Sequence, residues 1–479
     1  MTTTAFRAPW TIAYQDGEHR ALRDGVVVVS GGSVVHVGRD LTGFTGDVDQ
    51  VVDLPDTLIT PGFISTHAHL HSSPVDKSVQ EDVGNRQFWL TGLIEVLPLE
   101  IAGLDDAAKQ VCVDYSFAEI VRGGATTVVE IGDMSEYVAA AAERAGVRCY
   151  VGETYRSGRW FTPDGRRVDY EWDHVAGERA FARAVELTQR LDQGRDGLVR
   201  GILAPAQVDT CTEELLRETT RVAEELDVPV TLHAAQGVWE FNEITRRHGL
   251  TPVEWLHSID FLSSRVILGH GIFTTGHSWV NFAGDDVRLL AETGTAVAYS
   301  CWCFARRGFV MESFHSYAEA GVRLCLGTDT APQSMIDGMR WTAVTGKIAA
   351  RRSDVSTARD VFDAATVNAA DSLRRPDLGR IAPGAKADLL FWDTSTPRMS
   401  PLRDPLRTLV YYGTEGDLRD VMVDGEWVVR DRTIDWADET DLSRRLQEAA
   451  RTMWQVAPDV DWAGRTMDEM FPPLLDDFT

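Results

Sequence analysis

Short runs of β-branched and apolar residues alternate along most of the chain with longer amphipathic stretches rich in Ala, Glu and Arg. The stretches carry apolar residues at i, i+3 and i+4, as do helices that cover one face of a sheet. Strands that alternate with helices indicate βαβ units and a parallel sheet, and eight strands fit an α/β fold of the (β/α)8 TIM barrel type. The runs that predict strands are 58–66, 125–132, 147–154, 199–207, 228–235, 265–271, 295–301 and 322–329.

The two ends of the chain depart from this pattern. Short β-segments separated by Gly and Asp turns precede the first barrel strand, and β character returns near the other end, where the Asp-Gly pair of VMVDGEWVV predicts a hairpin turn. We therefore predict a composite β-sandwich domain from residues 1–58 and 380–440 and a barrel over 59–379. A helical, acidic tail is predicted over 441–479.

Composition narrows the class of protein. The chain has 47 Lys and Arg against 73 Asp and Glu, which gives a net charge of −26. Because binding to phosphates needs a basic surface, no nucleic-acid partner is expected. No apolar run approaches the ~18 residues of a membrane span, and the first residues lack the apolar core of a signal peptide. Six scattered cysteines, with no C-x-x-C pair, are typical of a reducing compartment. We expect a cytoplasmic homo-oligomer with a small-molecule substrate and no membrane partner.

Polar residues fall unevenly at the carboxyl ends of the predicted strands, where the reacting groups of an α/β barrel lie. His67 and His69 end the first strand, His233 the fifth, His270 the sixth and Asp329 the eighth. Alternate side chains of an extended segment point the same way, so the first two can face one centre. Imidazoles with a carboxylate, and with room for water, form the ligand set of a catalytic divalent-metal site. The spacing therefore predicts such a site at this mouth.

Several segments also carry a family resemblance: PGFISTHAHLH, TLHAAQ, GHGIF, GTDTAP and TVNAADSLRRPDLGRIAPGAKADLLFWD. Together they resemble the amidohydrolase superfamily, and within it the branch of chlorohydrolases, cytosine and guanine deaminases and other aminohydrolases. The resemblance implies a metal-dependent hydrolase in which Asp329 binds the metal and takes the proton from the attacking water. The other implied ligands are His67, His69 and His233, and His270 either binds the metal or holds the substrate oxygen.

The lysines bear on the number of metal ions. Members of the superfamily with two metals commonly bridge them with a carbamylated lysine at the end of strand four. Here that strand ends in Pro-Ala-Gln, and no lysine lies between residues 110 and 346. We therefore expect one divalent metal ion, zinc first, although cobalt, iron and manganese suit the same ligands. Glu130 and Glu153 could bridge from strands two and three, but each is expected to be a pocket or structural carboxylate.

One position departs from that branch of the superfamily. Its deaminases and chlorohydrolases usually have H-x-x-E after strand five, whereas the sequence HAAQ puts Gln236 at the last of these positions. An amide cannot act as a general acid, so we expect cleavage at a carbonyl, where Asp329 alone takes the proton from water and gives it to the departing amine. His270 would donate a hydrogen bond to the developing oxyanion. Gln236 would orient the substrate or hold His233.

The segment after the metal pair, HSSPVDKSVQEDVGNRQFWLTGLIEVLP, is similar to that of urea- and carbamate-cleaving members such as phenylurea hydrolases and molinate hydrolase. We therefore expect a hydrolase of non-peptide carbon–nitrogen bonds that releases an amine from a small amide, urea or carbamate, such as an N-aryl urea or a thiocarbamate, in xenobiotic degradation. One alternative is hydrolytic deamination or dechlorination of a triazine, pyrimidine or purine, with Glu153 or Glu240 replacing the missing acid. Another is an inactive barrel scaffold.

Loops after the strands supply the remaining candidates for the pocket. Phe88 and Trp89 would form an apolar wall, unless they begin the first covering helix and pack inward. Cys301 and Cys303, on either side of Trp302, are expected to be small residues at the end of the barrel. The substrate-binding candidates are Gln236, Phe88, Trp89, Glu153, Arg156 and Trp302.

Overall fold

The structure is a computed structural model that describes residues 2–79, 93–192 and 197–475. A barrel of parallel strands, surrounded by helices, lies beside a separate mixed sheet to which both parts of the chain that flank the barrel contribute. The α/β fold class and the TIM barrel predicted from the sequence are confirmed. No helix of the described residues is both long enough and apolar enough to cross a membrane.

Strands are numbered here in chain order over the described residues. They are β1 (Thr3–Gln15), β2 (Glu18–Ser30), β3 (Ser33–Gly38), β4 (Gln50–Asp53), β5 (Thr57–Pro61), β6 (Phe63–Ala68), β7 (Ala125–Gly132), β8 (Arg148–Tyr155), β9 (Gly158–Phe161), β10 (Asp169–Trp172), β11 (Val199–Gly201), β12 (Ala204–Pro205), β13 (Val230–Ala234), β14 (Val266–His270), β15 (Ala296–Tyr299), β16 (Arg323–Leu326), β17 (Leu389–Asp393), β18 (Leu418–Val423) and β19 (Glu426–Val429).

The α-helices of the same residues are numbered likewise, and two 3-10 turns lie at Ser73–Ser78 and Glu415–Asp417. The helices are α1 (Leu93–Gly103), α2 (Asp106–Arg122), α3 (Ser135–Ala145), α4 (His174–Asp192), α5 (Glu213–Leu226), α6 (Val238–His248), α7 (Pro252–Ser258), α8 (Asp286–Thr293), α9 (Cys301–Ala305), α10 (Phe314–Glu319), α11 (Met335–Ala350), α12 (Ala358–Ala365), α13 (Val367–Ser372), α14 (Pro405–Tyr412), α15 (Glu439–Gln455), α16 (Ala457–Val460) and α17 (Met467–Met470).

The barrel consists of two sets of parallel strands joined at both edges. One set runs in the order β11-β8-β7-β6, with β12 also on β8, and the other runs β13-β14-β15-β16. Parallel bridges from Leu203 to Val230 and from Ala68 to Asp329 join the two sets and close the ring. Apolar side chains fill its interior, so the open end for a ligand is the carboxyl mouth. The strands contribute Ile64, Val129, Ile131, Tyr150, Ile202, Ala204, Ile267, Ala296, Ala298 and Cys325 to this filling.

The second sheet has the order β19-β18-β17-β5-β1-β2-β3, with β4 parallel to β1. Its later strands join its earlier ones through the antiparallel pair of β17 and β5. The predicted hairpin turn is confirmed: β18 and β19 pair antiparallel, and Asp424 and Gly425 have φ values of 52° and 83°. The domain limits at 1–58, 380–440 and 441–479 stay predictions.

The first predicted barrel strand, 58–66, is two strands in the structure. β5 belongs to the outer sheet, whereas β6 pairs with β7 in the barrel. Gly62 joins them: its N–H donates to Asp388 O at 2.8 Å, and a Cβ on it would lie 2.0 Å from Thr126 Oγ1. Because only glycine fits so close to a neighbouring side chain, the chain crosses from one sheet to the other without a loop. The strand that carries the first histidines is therefore anchored directly to the outer sheet.

The tail begins with a helix that packs on the barrel. Ala449, Ala450 and Met453 of α15 lie in one apolar cluster with Leu99 of α1 and Cys112 of α2. The amphipathic stretches between the barrel strands form helices in the structure, among them α2, α3, α4 and α5. The tail thus stabilises the helices that follow the first barrel strand.

A buried ion pair joins the barrel to the outer sheet. The guanidinium of Arg148, at the start of β8, donates to Asp388 Oδ2 at 2.8 Å and to Asp424 Oδ1 at 2.6 Å. The side chains of Arg148 and Asp388 are only 2% and 3% exposed. Loss of one partner would leave the other charge buried without compensation, which is costly.

Replacement of this arginine should destabilise the whole protein. We expect Arg148→Met to lower the free energy of unfolding by about 3–5 kcal/mol, because Asp388 stays buried and loses its charged partner. Urea unfolding followed by circular dichroism measures the change. The control is Arg221→Met, which removes an exposed arginine that bonds Glu218 and Glu225 on the same helix, and its urea midpoint should not move. An unchanged midpoint for Arg148→Met would contradict the role of the pair.

Candidate metal centre

Five predicted side chains meet at the carboxyl mouth of the barrel. His67 lies on β6, His233 on β13 and His270 on β14, and His69 follows β6 directly. Asp329, beyond β16, is held beside the first strand by two backbone hydrogen bonds. Its N–H donates to His67 O at 2.9 Å, and its carbonyl accepts from His69 N at 2.9 Å. The structure therefore brings together groups from strands one, five, six and eight.

The ligand atoms of these residues point at a common centre. His69 Nε2 lies 3.1 Å from His233 Nε2. Asp329 Oδ1 lies 3.5 Å from His69 Nε2 and 3.7 Å from His67 Nε2, while its Oδ2 lies 3.9 Å from His270 Nε2. Two sets of potential ligand atoms each lie within 4.8 Å of one another, one of His67, His233 and His270 and the other of His67, His69 and Asp329. The shared member, His67, lies at the middle of the cluster.

The hydrogen bonds of two rings settle their tautomers. His69 Nδ1 lies 2.7 Å from Ile131 O, and His233 Nδ1 lies 2.6 Å from Ala206 O. A carbonyl only accepts, so each Nδ1 carries a proton and each Nε2 is the ring nitrogen that faces the cluster. When both rings are in the neutral form that binds metals, their Nε2 lone pairs, 3.1 Å apart, repel each other unless a cation lies between the rings. The donor set thus fits a divalent metal ion, and the carbonyl contacts are those that orient metal-binding histidines.

His67 and His270 support the same interpretation. Both ring nitrogens of His67, and Nδ1 of His270, are buried and have no hydrogen-bond partner among the described residues. Burial lowers the pKa of His67 well below its usual value, and the neighbouring imidazoles add to the effect. Burial likewise lowers the pKa of His233 to about 3 and that of His270 to about 4. The rings are therefore neutral near pH 7, the form that binds metals.

Asp329 supplies the negative charge of the cluster. Burial by itself would raise its pKa, but His270 and His69 outweigh it, and the pKa of this carboxyl is lowered to about 2. The residue has a φ of 63°, a left-handed conformation that Asp tolerates better than most residues. This strained conformation occurs at the residue whose backbone closes the barrel and whose side chain faces the imidazoles.

Glu130 holds the loop that follows the metal pair. One carboxylate oxygen accepts from Leu70 N at 2.7 Å, and the other lies 3.3 Å from His71 Nδ1. His71 is turned away from the cluster, with its Nε2 3.8 Å from Asp133 Oδ1. Both oxygens of Glu130 are used by the loop, so this carboxylate has a structural task.

Gln236 and Glu240 meet at the loop after β13. The carboxylate of Glu240 accepts from Ala235 N at 2.5 Å and from Gln236 N at 3.1 Å. Burial raises the pKa of Glu240 well above its usual value, and Asp209 raises it further. Gln236 is 3% exposed, and its Nε2 is buried with no hydrogen-bond partner among the described residues. Glu240 therefore positions the backbone of the loop that carries Gln236.

Two predicted substrate contacts face other parts of the molecule. Glu153 lies 3.7 Å from Arg183 Nε on α4, so the structure does not bring its carboxylate into the cluster. Gly152 faces the interior of the barrel, where a Cβ on it would meet Ala204. Because successive residues of a strand face opposite sides, Glu153 lies on the helix-covered side of β8. The ring of Trp302 packs against Trp341 of α11, with 5.3 Å between centroids.

The other predicted contacts lie on loops. Arg156 follows β8 and is half-buried, with no hydrogen bond or ion pair to the described residues. Burial lowers the pKa of its guanidinium. Phe88 and Trp89 lie outside the described residues.

Cys303, which the sequence indicates only as a small residue at the end of the barrel, lies next to the loop that carries Asp329, since its sulfur accepts from Thr330 Oγ1 at 3.8 Å. Its position after strand seven, which neighbours strand eight, is the one signal in the sequence that could have indicated this contact.

Comparison with known proteins identifies the family of this chain. The amidohydrolase family model matches residues 58–428. A 5-methylthioadenosine/S-adenosylhomocysteine deaminase of Haloarcula marismortui is 30% identical and covers 87% of this chain and 91% of its own. A 5′-deoxyadenosine deaminase of Methanothermobacter thermautotrophicus is 27% identical and covers 90% of this chain and 95% of its own.

Solved structures agree on the fold. An adenosine deaminase from Xanthomonas campestris with bound zinc has a TM-score of 0.80 at 23% identity, over 95% of this chain and 99% of the other. An atrazine chlorohydrolase from Arthrobacter aurescens TC1 complexed with zinc has a TM-score of 0.80 at 21% identity, over 94% and 100%. The superfamily that the sequence motifs resemble is confirmed.

Removal of one imidazole should empty the centre. We expect the purified protein to hold one divalent metal ion per chain and His233→Ala to lose it, because a lone pair of the cluster disappears. Elemental analysis of the dialysed proteins measures the content. His71→Ala is the control, since this ring lies outside the cluster and should leave the metal in place. Equal metal contents in wild type and His233→Ala would argue against the site.

Proposed function

Since the chain belongs to the amidohydrolase family, we propose that it is a zinc-dependent enzyme that hydrolytically removes the amino group of an aminated N-heterocycle. The substrate proposed first is a purine nucleoside of the 5′-deoxyadenosine type. The observation that carries the proposal is the buried cluster in which neutral imidazole nitrogens surround the Asp329 carboxylate at the barrel mouth. The names of the relatives support the substrate, and the zinc in the solved neighbours supports the metal.

This proposal differs from the reaction that the sequence favours. The segment after the metal pair favours ureas and carbamates, whereas the named relatives act on adenine-containing nucleosides. Hydrolysis of a non-peptide carbon–nitrogen bond is common to both. The deaminase alternative therefore becomes the first proposal, and urea or carbamate cleavage becomes the second.

The chain's own groups divide the work in this reaction. When bound, a divalent ion acidifies water towards a pKa of ~7 and so makes hydroxide available at neutral pH. Asp329 accepts the proton of the attacking water at Oδ2, the oxygen nearer His270, and then delivers it to the departing amino nitrogen. His270 donates a hydrogen bond from Nε2 to the attacking oxygen as charge develops on it.

Gln236 limits how the ring nitrogen of such a substrate is stabilised. Its amide donates a hydrogen bond but no proton. Neither proposed replacement is free for the task, because Glu153 faces Arg183 and both oxygens of Glu240 accept from backbone N–H groups. We therefore propose that Gln236 Nε2–H stabilises the ring nitrogen by a hydrogen bond while Asp329 alone carries the proton.

The same residue supports the second candidate function. In a urea or carbamate the leaving group is an amine on a carbonyl, and one proton carrier is sufficient for its departure. Gln236 would then orient the carbonyl substrate. This observation keeps N-aryl ureas and thiocarbamates in the experiment as the alternative substrates.

A paired substrate panel tests the function. We expect the zinc-loaded protein to release ammonia from 5′-deoxyadenosine or 5′-methylthioadenosine and to lose this activity when a chelator removes the metal. Mass spectrometry of the products measures both arms, with an N-aryl urea and a thiocarbamate in the second. If amine is released in the second arm alone, the proposed deamination is wrong and cleavage at a carbonyl is the function.

Restoration of an acid at position 236 should separate the two reactions. We expect Gln236→Glu to raise kcat for deamination by about 10²-fold or more, because a positioned general acid contributes about 10²–10⁴-fold. Gln236→Met, which lacks both donor and acceptor, is the control and should lower kcat. Steady-state kinetics of ammonia release measures both variants. A Gln236→Glu variant that deaminates no faster than wild type would contradict the task given to this amide.

A further inference from the structure

A short hairpin at the mouth of the barrel contacts the loop that follows the fourth barrel strand. It consists of β9 and β10, which pair antiparallel and come directly after β8. The N–H groups of Ser157 and Gly158 donate to Thr210 O, at 3.0 and 2.8 Å, in the loop after β12. Because the carboxyl ends of the strands and the loops after them form the mouth, the hairpin begins on the substrate side of the barrel.

One buried carboxylate holds both strands of the hairpin. Trp160 of β9 and Tyr170 of β10 are directly opposite each other, so their side chains lie on the same face. Trp160 Nε1 donates to Asp209 Oδ2 at 2.8 Å, and the Tyr170 hydroxyl donates to the same oxygen at 2.7 Å. Asp209 lies in the loop after β12 and is fully buried. Its carboxylate therefore fixes the hairpin to the fourth barrel strand.

Arg247 of α6 strengthens this attachment. Its Nη1 donates to Asp209 O at 2.7 Å. Its guanidinium lies over the ring of Tyr170, with 4.5 Å to the centroid, and a cation over an aromatic face is attractive. The hairpin is thus joined to α6, the helix after the fifth barrel strand, as well as to the loop of the fourth.

The hairpin also reaches the segment that carries Gln236. The rings of Trp160 and Trp239 pack edge to face, with 5.9 Å between centroids. The ring of Trp239 lies over Gly237, since a Cβ on that glycine would be 1.9 Å from the ring. Gly237 directly follows Gln236, whose Nε2 is buried with no hydrogen-bond partner among the described residues. The packing that starts at the hairpin therefore acts on the backbone next to this amide.

We propose that Asp209 is a positioning residue for Gln236. By holding the hairpin it keeps Trp160 against Trp239, and this contact fixes the loop that presents the amide to the substrate. The task of the amide in catalysis rests on the proposed function. The attachment of the loop to the hairpin does not, and it is measured without a substrate.

The other face of the same hairpin provides a matched control. Arg159 and Glu171 are also directly opposite each other, and Arg159 Nε donates to Glu171 Oε2 at 2.6 Å. Both side chains are exposed, at 66% and 58%, so this ion pair contributes little to stability. Glu171→Gln weakens one bond between the strands and leaves the contacts of Asp209 in place. A difference between the two variants therefore reports the buried carboxylate.

Hydrogen–deuterium exchange of the zinc-loaded protein is the first measurement. We expect Asp209→Leu, which removes the acceptor, to speed the exchange of backbone amides about 10-fold or more in the hairpin and in residues 235–241. The reason is that each hydrogen bond to a charged group contributes about this factor to a local opening equilibrium. Asp209→Asn keeps an acceptor oxygen and should exchange nearly as slowly as wild type, and Glu171→Gln should leave residues 235–241 unchanged. Tyr170→Phe removes one of the two bonds and provides the same test if Asp209→Leu does not fold.

Catalysis is the second measurement. With zinc in excess, we expect Asp209→Leu to lower kcat for deamination by about 10- to 100-fold, the cost of a misplaced group, at little-changed KM. Asp209→Asn should restore most of kcat, and Glu171→Gln should match wild type. In a Gln236→Met background, Asp209→Leu should have no further effect on kcat, because the amide through which it acts is already absent. A merely structural role would lower kcat by the same factor in both backgrounds.

Two results would overturn the proposal. One is unchanged exchange of residues 235–241 in both Asp209→Leu and Tyr170→Phe. The other is an equal loss of kcat with and without the amide of Gln236. If no substrate in the panel reacts while residues 235–241 still exchange faster in Asp209→Leu, the proposed function is wrong and the attachment of the loop to the hairpin is supported.

Discussion

The candidate centre depends on two backbone hydrogen bonds that close the barrel between its first and last strands. Asp329 N donates to His67 O, and Asp329 O accepts from His69 N. The bonds therefore join the ring of strands and set the carboxylate among the imidazoles at the same place. Neither bond could lengthen without opening the barrel and separating the ligands. The left-handed backbone of Asp329 is the cost of this arrangement.

The outer sheet fixes the other end of the first barrel strand, β6. Gly62 lets β5 continue into β6 without a loop, and its N–H bonds to Asp388. Asp388 is also the buried partner of Arg148 on the third barrel strand. The same carboxylate residue thus ties two barrel strands to the outer sheet. In this way the outer sheet keeps β6 fixed and keeps His67 and His69 in register with Asp329.

The chemistry of the mouth follows from which groups are left available. The loop after the metal pair uses Glu130, and the loop after β13 uses Glu240. Glu153 faces a covering helix. Of the acidic groups considered for proton transfer, Asp329 remains, and the amide of Gln236 accompanies it. A site with one proton carrier depends strongly on how that carrier is oriented.

The sequence by itself determined the strand-and-helix order, the barrel and the ligand types, because hydrophobic periodicity and residues at strand ends are local features. It could not show that 58–66 divides at Gly62, since the division is set by contact with Thr126, which is distant in the chain. Nor could it show that Glu130, Glu153 and Glu240 have partners of their own, because folding alone brings each carboxylate to its backbone or side-chain donors.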